Sequence, residues 1–232
     1  MSLTPALEAK IAASTEVLRD IAAKYSPAAF ANSFGAEDMV LMDLICKHVP
    51  AIELFTLDTG RLHGETYQLM HDVRKHYGVR IRTYFPERAA VEDYIHTHGP
   101  NAFYESVDLR KSCCHIRKVE PLQRALSGRK AWITGLRREQ APTRKDLGVQ
   151  EYDSGNGLEK FNPLIEWTQD DVWDYIRHFG VPYNPLHDQF FPSIGCEPCT
   201  RAVAVGEDIR AGRWWWENPD SKECGLHVKK TG

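Results

Sequence analysis

The sequence contains no long apolar run. Its longest uncharged stretch, from Ala22 to Ala36, is interrupted by Lys24 and falls well short of the roughly 20 apolar residues that a membrane helix needs. No membrane span is expected. Met1-Ser2-Leu3-Thr4-Pro5 lacks a basic region followed by an apolar stretch, so no secretory leader is expected and the reading is a cytoplasmic protein. A surplus of positive charge is missing too: 29 Lys and Arg face 32 Asp and Glu, for a formal net charge of −3. That removes a global electrostatic footprint for nucleic acid, though not a local anion site. Internal repeats and low-complexity tracts are absent, which excludes solenoids and disordered linkers.

What remains is ordinary globular composition, 42% hydrophobic and 26% charged over 232 residues, enough to bury a core without cross-links. The first 24 residues repeat apolar positions at helical spacing. Strands at Ala28–Ser33, Ala51–Leu57, Val79–Phe85 and Ala131–Thr134 alternate with helices at Glu37–His48, Gly64–Tyr77, Ala89–His98 and Leu109–Leu126. Such alternation predicts an α/β fold with a mostly parallel sheet and helices on both faces. A further helix is expected over Thr168–Phe179, opened by a capping threonine and Asp170-Asp171. The polar stretch from Gly135 to Glu159 reads as a long functional loop with at most one short strand. After about residue 180 prolines break the periodicity and a C-terminal tail is expected. The division that follows is 1–200 for the α/β body and 201–232 for a C-terminal segment.

Six cysteines are unevenly placed: Cys46, Cys113, Cys114, Cys196, Cys199 and Cys224. In a reducing compartment such a set points to metal binding or catalysis before disulfides. Cys46 lies in an apolar helical pattern and reads as a small hydrophobe. Cys113-Cys114 and Cys196-x-x-Cys199 together offer four thiolates. Adjacent cysteines are awkward around one tetrahedral zinc and easier on a cubane, where each takes a different iron, so spacing favours [4Fe–4S] over zinc. Lys118, four residues after Cys114, would sit one helical turn away on the same face. Cys224 stands in a polar terminal segment beside Lys222, His227, Lys229 and Lys230, neighbours that favour the thiolate.

Three strand ends look suited to a nucleotide or an anion. Asn32-Ser33-Phe34-Gly35-Ala36-Glu37-Asp38 is either an anion site of unpaired N–H groups at a helix start or a plain strand–helix turn. Leu57-Asp58-Thr59-Gly60 is either a base-and-ribose turn or a capped turn. Gly135-Leu136-Arg137-Arg138-Glu139-Gln140, with Arg144 nearby, is either an anion-holding guanidinium group or a solvated basic loop. Arg210 and Arg213, three residues apart on an expected helix, would face one way.

Read together, these motifs resemble the assimilatory sulfonucleotide reductases, in particular the adenylyl-sulfate (APS) branch. They are Ser33–Asp38, Leu57–Gly60, Cys113-Cys114-His115-Ile116-Arg117-Lys118, Thr134–Gln140, Cys196-Glu197-Pro198-Cys199 and Glu223-Cys224-Gly225-Leu226-His227. The resemblance covers about residues 28–228. It implies a Rossmann-like adenine-nucleotide alpha-hydrolase fold and a [4Fe–4S] cluster on Cys113, Cys114, Cys196 and Cys199. It implies Cys224 as nucleophile and substrate contacts at Ser33, Leu57, Lys118, Gly135, Arg144, Arg210, Arg213 and His227. It further implies APS as substrate, AMP and sulfite as products, and thioredoxin or glutaredoxin as a separate reductant. A homo-oligomer is left open. Alternatives are the 3′-phosphorylated substrate (PAPS) and ATP-dependent adenylylation. The latter is disfavoured because Ala36 replaces the second glycine of an ATP pyrophosphate loop and Met39, not serine, follows Asp38.

Overall fold

The computed structural model describes residues 3–140 and 144–218. Seven α-helices and six strands can be followed in order. They are α1 (Pro5–Lys24), β1 (Ala28–Ala31), α2 (Ala36–His48), β2 (Glu53–Leu57), α3 (Gly64–Tyr77), β3 (Arg82–Tyr84), α4 (Arg88–His98), α5 (Val107–Cys114), α6 (Glu120–Leu126), β4 (Ala131–Ile133), β5 (Gln150–Asp153), β6 (Leu158–Phe161) and α7 (Gln169–Phe179). No described helix is long and apolar enough to cross a membrane. The chain divides into two compact units. The first comprises residues 1–56, 66–82 and 128–184; the second comprises 57–65, 83–127 and 185–232.

The sheet order is β3-β2-β1-β4-β6-β5. β1 pairs in parallel with β2 on one side and β4 on the other, with Phe30 opposite Leu54 and Ile133. β4 pairs in parallel with β6, and β5 closes that edge antiparallel. Strand order therefore reverses at β1, the place in parallel α/β sheets where ligands collect beyond the strand ends. The expected alternation is present, with shorter strands. The region read as a long loop instead holds two strands. Their turn carries Asp153, whose carboxylate accepts the N–H groups of Gly155 and Asn156, with Gly157 at φ 71°. Asp153 and Gly157 are one turn signal amid many other polar residues of this stretch.

The first unit is built on conventional local signals. Thr4 caps α1 by accepting the Leu7 N–H at 3.2 Å, with Pro5 in the first turn. Thr168 and Asp171 form a reciprocal capping box on α7, and Gly180 ends it in the left-handed region. The core under the sheet is wholly buried at Leu18, Ile21, Phe30, Met39, Leu44 and Ile133. One polar knot crosses it. Asp43 of α2 is buried and accepts from Tyr175 at 2.6 Å, Lys47 at 2.7 Å and Tyr77 at 3.0 Å. Cys46, one turn along, is half-buried against this core. Burial and the nearby Asp43 push its thiol up to about 11, in line with a packing role.

In the second unit the expected single helix over Leu109–Leu126 is interrupted. α5 ends at Cys114, residues His115–Val119 form one π-helical turn, and α6 resumes with Pro121 in its first turn. A π turn widens the helix where side chains are needed in unusual directions. Here it follows directly on the adjacent cysteines.

Candidate active site

The first unit places the ends of β1 and β4 side by side. Asp38, in the first turn of α2, joins them. Its Oδ2 accepts the Ser33 N–H at 2.7 Å and the Ser33 hydroxyl at 2.6 Å, and its carboxylate also accepts the Gly135 N–H. Burial is the largest influence on this carboxyl and raises it to about 6, against the lowering effect of the Ser33 and Gly135 hydrogen bonds. Phe34 (φ 62°) turns the loop, and its N–H donates to Asn32 Oδ1 at 2.7 Å. The expectation of unpaired N–H groups at this helix start is therefore corrected for Ser33 and Phe34: the chain's own carboxylate and amide oxygens accept them. Ser33 shapes the turn through Asp38 while remaining exposed to solvent.

The guanidinium group after β4 is likewise matched internally. Arg137 is buried and pairs with Glu37 at 2.8 Å. Arg138 pairs with Glu166 at 2.6 Å. Arg144 is buried and donates to Gln140 Oε1. Arg137 and Arg138 thus meet acidic residues on α2 and after β6, whereas Arg144 donates to a neutral amide.

The second unit gathers the four cysteines. Cys113, Cys114, Cys196 and Cys199 line one small cavity with Arg61, Phe103, Arg110, Arg117, Lys118 and Pro198. Cys196 caps a 3₁₀ turn, Glu197–Cys199, with Pro198 at its second position, and Cys199 N–H donates to Cys196 O at 2.9 Å. Thr59 Oγ1 lies 3.3 Å from Cys196 Sγ, and Arg117 donates to Thr59 O at 2.6 Å. Burial alone would push Cys196 up, but Lys118, the Thr59 hydroxyl, Arg213 and Arg117 outweigh it and hold the thiol below its ordinary value. Cys199, buried and next to Cys196, is pushed up to about 12. Cys113 is raised by burial against the pull of Arg117.

Lys118 thus reaches the cysteines from the π turn, and its charge acts on the Cys196–Cys199 pair. Arg210 and Arg213 lie on turns, not on a helix: Arg213 forms an isolated antiparallel bridge with Thr200. Its guanidinium lies against Gly195, where a Cβ would stand 2.4 Å from Nη2, and 4.6 Å from the Trp214 ring centroid. In the Trp214–Trp216 run, Trp214 is buried at 1% exposure, whereas Trp215 is 39% exposed. Leu57, at the end of β2, is half-buried. Cys224 and His227 lie outside the described residues.

Several contributors went unnoticed in the sequence. Thr59 was read only as part of a nucleotide-type turn, yet it touches Cys196. Arg61, Phe103 and Arg110 carry no local signal, since only the tertiary fold brings them to the cysteines.

Comparison with known proteins adds an independent line. The sequence profile of the phosphoadenosine phosphosulfate reductase domain matches residues 27–202. The chain belongs to this family. It is 54% identical over 227 residues to the adenosine 5′-phosphosulfate reductase of Allochromatium vinosum, covering 98% of this chain and 89% of that protein. Identity to the Burkholderia cepacia protein of the same name is also 54% over 227 residues, covering 98% and 91%. Among solved structures it is similar to phosphoadenylyl-sulfate reductase from Candida auris, in its phosphate complex, with TM-score 0.71, 30% identity, and 88% and 99% of the two chains covered. Candida glabrata FMN adenylyltransferase bound to ATP shares the fold at TM-score 0.60 and 13% identity, covering 96% of this chain and 78% of that one. The expected adenine-nucleotide alpha-hydrolase architecture is thereby established.

Proposed function

We propose that the chain reduces adenylyl sulfate to sulfite and AMP in sulfate assimilation. The observation that carries the reading is the four-cysteine cavity with its cationic surround, in a family member whose relatives at 54% identity are named adenosine 5′-phosphosulfate reductases. In the proposed first step the Cys224 thiolate attacks the sulfur of the sulfate group. An S–S bond forms, the S–O bond to AMP breaks, and AMP departs with the electron pair, leaving S-sulfocysteine. In the second step a thiolate of thioredoxin or glutaredoxin attacks the Cys224 sulfur and sulfite leaves. The reductant's second thiol then resolves the mixed disulfide, so both electrons come from the dithiol.

A thiolate approaching a sulfate meets repulsion that nearby cations must offset. Lys118, Arg210, Arg213 and His227 are proposed for that task, and Ser33, Leu57, Gly135 and Arg144 for contacts to the rest of the substrate. Ser33 and Gly135 act by fixing the turn through Asp38.

The cysteine site suits a [4Fe–4S] cluster. Four thiols share a cavity, and the indole N–H groups of Trp214 and Trp216, packed against them, are buried without a hydrogen-bond partner. Such orphan donors suit the sulfur of a cluster. When bound, the cluster would join α5 to the Cys196–Cys199 turn and set the local charge. Cys113, Cys114, Cys196 and Cys199 would hold it, while Lys118 and Arg117 balance the thiolates.

Turnover with thioredoxin tests the reading. Sulfite release from APS, with little from PAPS, is expected. A strong preference for the 3′-phosphate would move the chain to the PAPS branch, and pyrophosphate release from ATP would support adenylylation.

A further inference from the structure

Arg110 on α5 and Glu217 form a buried ion pair whose side chains are 1% and 3% exposed. The guanidinium donates from Nε to Oε1 and from Nη2 to Oε2, both at 2.8 Å. This parallel two-bond geometry fixes orientation as well as distance. The same guanidinium lies 4.8 Å from the Trp214 ring centroid and lines the four-cysteine cavity together with Cys114. One planar group therefore lines the four-thiol cavity, faces the ring of Trp214 and holds the carboxylate of Glu217.

Its partners occupy telling positions. Trp214 N–H donates to Cys199 O at 3.1 Å, and Glu217 N–H donates to Trp214 O at 2.9 Å. Residues 214–217 are thus tied to the cysteine turn by backbone and to α5 by Arg110. Glu217 precedes Cys224 by seven positions in the sequence.

We infer that Arg110 is a positioning residue that couples the four-cysteine site to the base of the segment leading to Cys224. The cavity wall beside Cys114 and the fork to Glu217 come from one rigid group. Loss of the cysteine site's order frees the fork, and loss of the fork loosens residues 214–217. The consequence for turnover rests on the proposed role of Cys224; the anchoring rests on the contacts alone.

The test compares iron-loaded wild type with Glu217→Gln and Arg110→Lys. Amide hydrogen exchange of a peptide covering residues 213–218 is read by mass spectrometry, with a β1 peptide as control. Exchange is expected to quicken about tenfold or more in both variants, because a buried pair has been broken, with β1 unchanged. The visible absorption of the iron-loaded protein is expected to shift in Arg110→Lys, which changes the cavity wall beside Cys114, and to persist in Glu217→Gln. In steady state both variants should show lower kcat with the KM for APS retained. Unchanged exchange over 213–218 in Glu217→Gln overturns the anchoring, even if Arg110→Lys does not fold. An unshifted spectrum in Arg110→Lys overturns the link to the cysteine site. Faster exchange in a protein whose wild type never acquires a sulfo group on Cys224 upholds the anchor and removes the proposed chemistry instead.

Discussion

Gly135 stands so close to Asp38 that a Cβ at this position would lie 2.2 Å from Asp38 Oδ1. Only a residue without a side chain lets the end of β4 approach the carboxylate that also holds Ser33. Gly135→Ala must therefore push Asp38 away and open the turn shared by β1 and β4. A stability loss of about 1–3 kcal/mol is expected from the overpacking, with AMP affinity down about tenfold or more. Urea denaturation and calorimetric titration measure the two. Wild-type values in both would show that the turn does not depend on this approach.

Asp38 also predicts a pH signature. Burial raises its folded-state carboxyl from 3.8 to about 6, so between those values the folded protein binds a proton that the unfolded chain does not. Stability from this group is present at low pH and is lost as pH rises through about 6. Relative to Asp38→Asn, wild type should lose on the order of 3 kcal/mol of unfolding free energy between pH 4 and pH 7. Urea melts of both proteins across this range give the difference. A difference that stays flat would mean the carboxyl titrates normally.

The Asp43 knot is expected to serve stability and not chemistry. Asp43→Ala leaves the hydroxyls of Tyr77 and Tyr175 without the acceptor they share. A cost of roughly 2–5 kcal/mol follows from the lost hydrogen bonds and the unsatisfied donors. Iron content and cysteine reactivity of the folded fraction should match wild type. A small stability change would show that water replaces the carboxylate.

Replacing Cys196 or Cys199 with serine removes one of two thiols tied together by the Pro198 turn. Purified wild type should contain iron and acid-labile sulfide and absorb in the visible range, and each variant should lose all three. Stoichiometric zinc in a colourless wild type would contradict the cluster assignment.

How much of this was legible beforehand differs between the two units. In the first, caps and periodicity are local, so Thr168 marks a helix boundary that the structure keeps. The four cysteines were legible as a group because few other arrangements suit two separated thiol pairs. The surroundings of the arginines after β4 were not legible. Their charge was plain, but Glu37 and Glu166, which pair with Arg137 and Arg138, are distant in sequence and brought close only by the sheet. The π turn was hidden for a related reason: His115–Val119 continues the helical pattern, and only packing around the cysteines reveals the extra width. Arg110 was illegible for want of any motif, since its meaning comes from Glu217, 107 residues away.

The most direct test of the proposed chemistry needs no turnover. The protein is mixed with APS in the absence of any thiol reductant, and its intact mass is measured. The account predicts a gain of one SO₃ group, mapped to Cys224, discharged by thioredoxin, and absent from Cys224→Ser. An adduct that persists in Cys224→Ser, or a wild-type protein that reduces APS without ever carrying one, would contradict it.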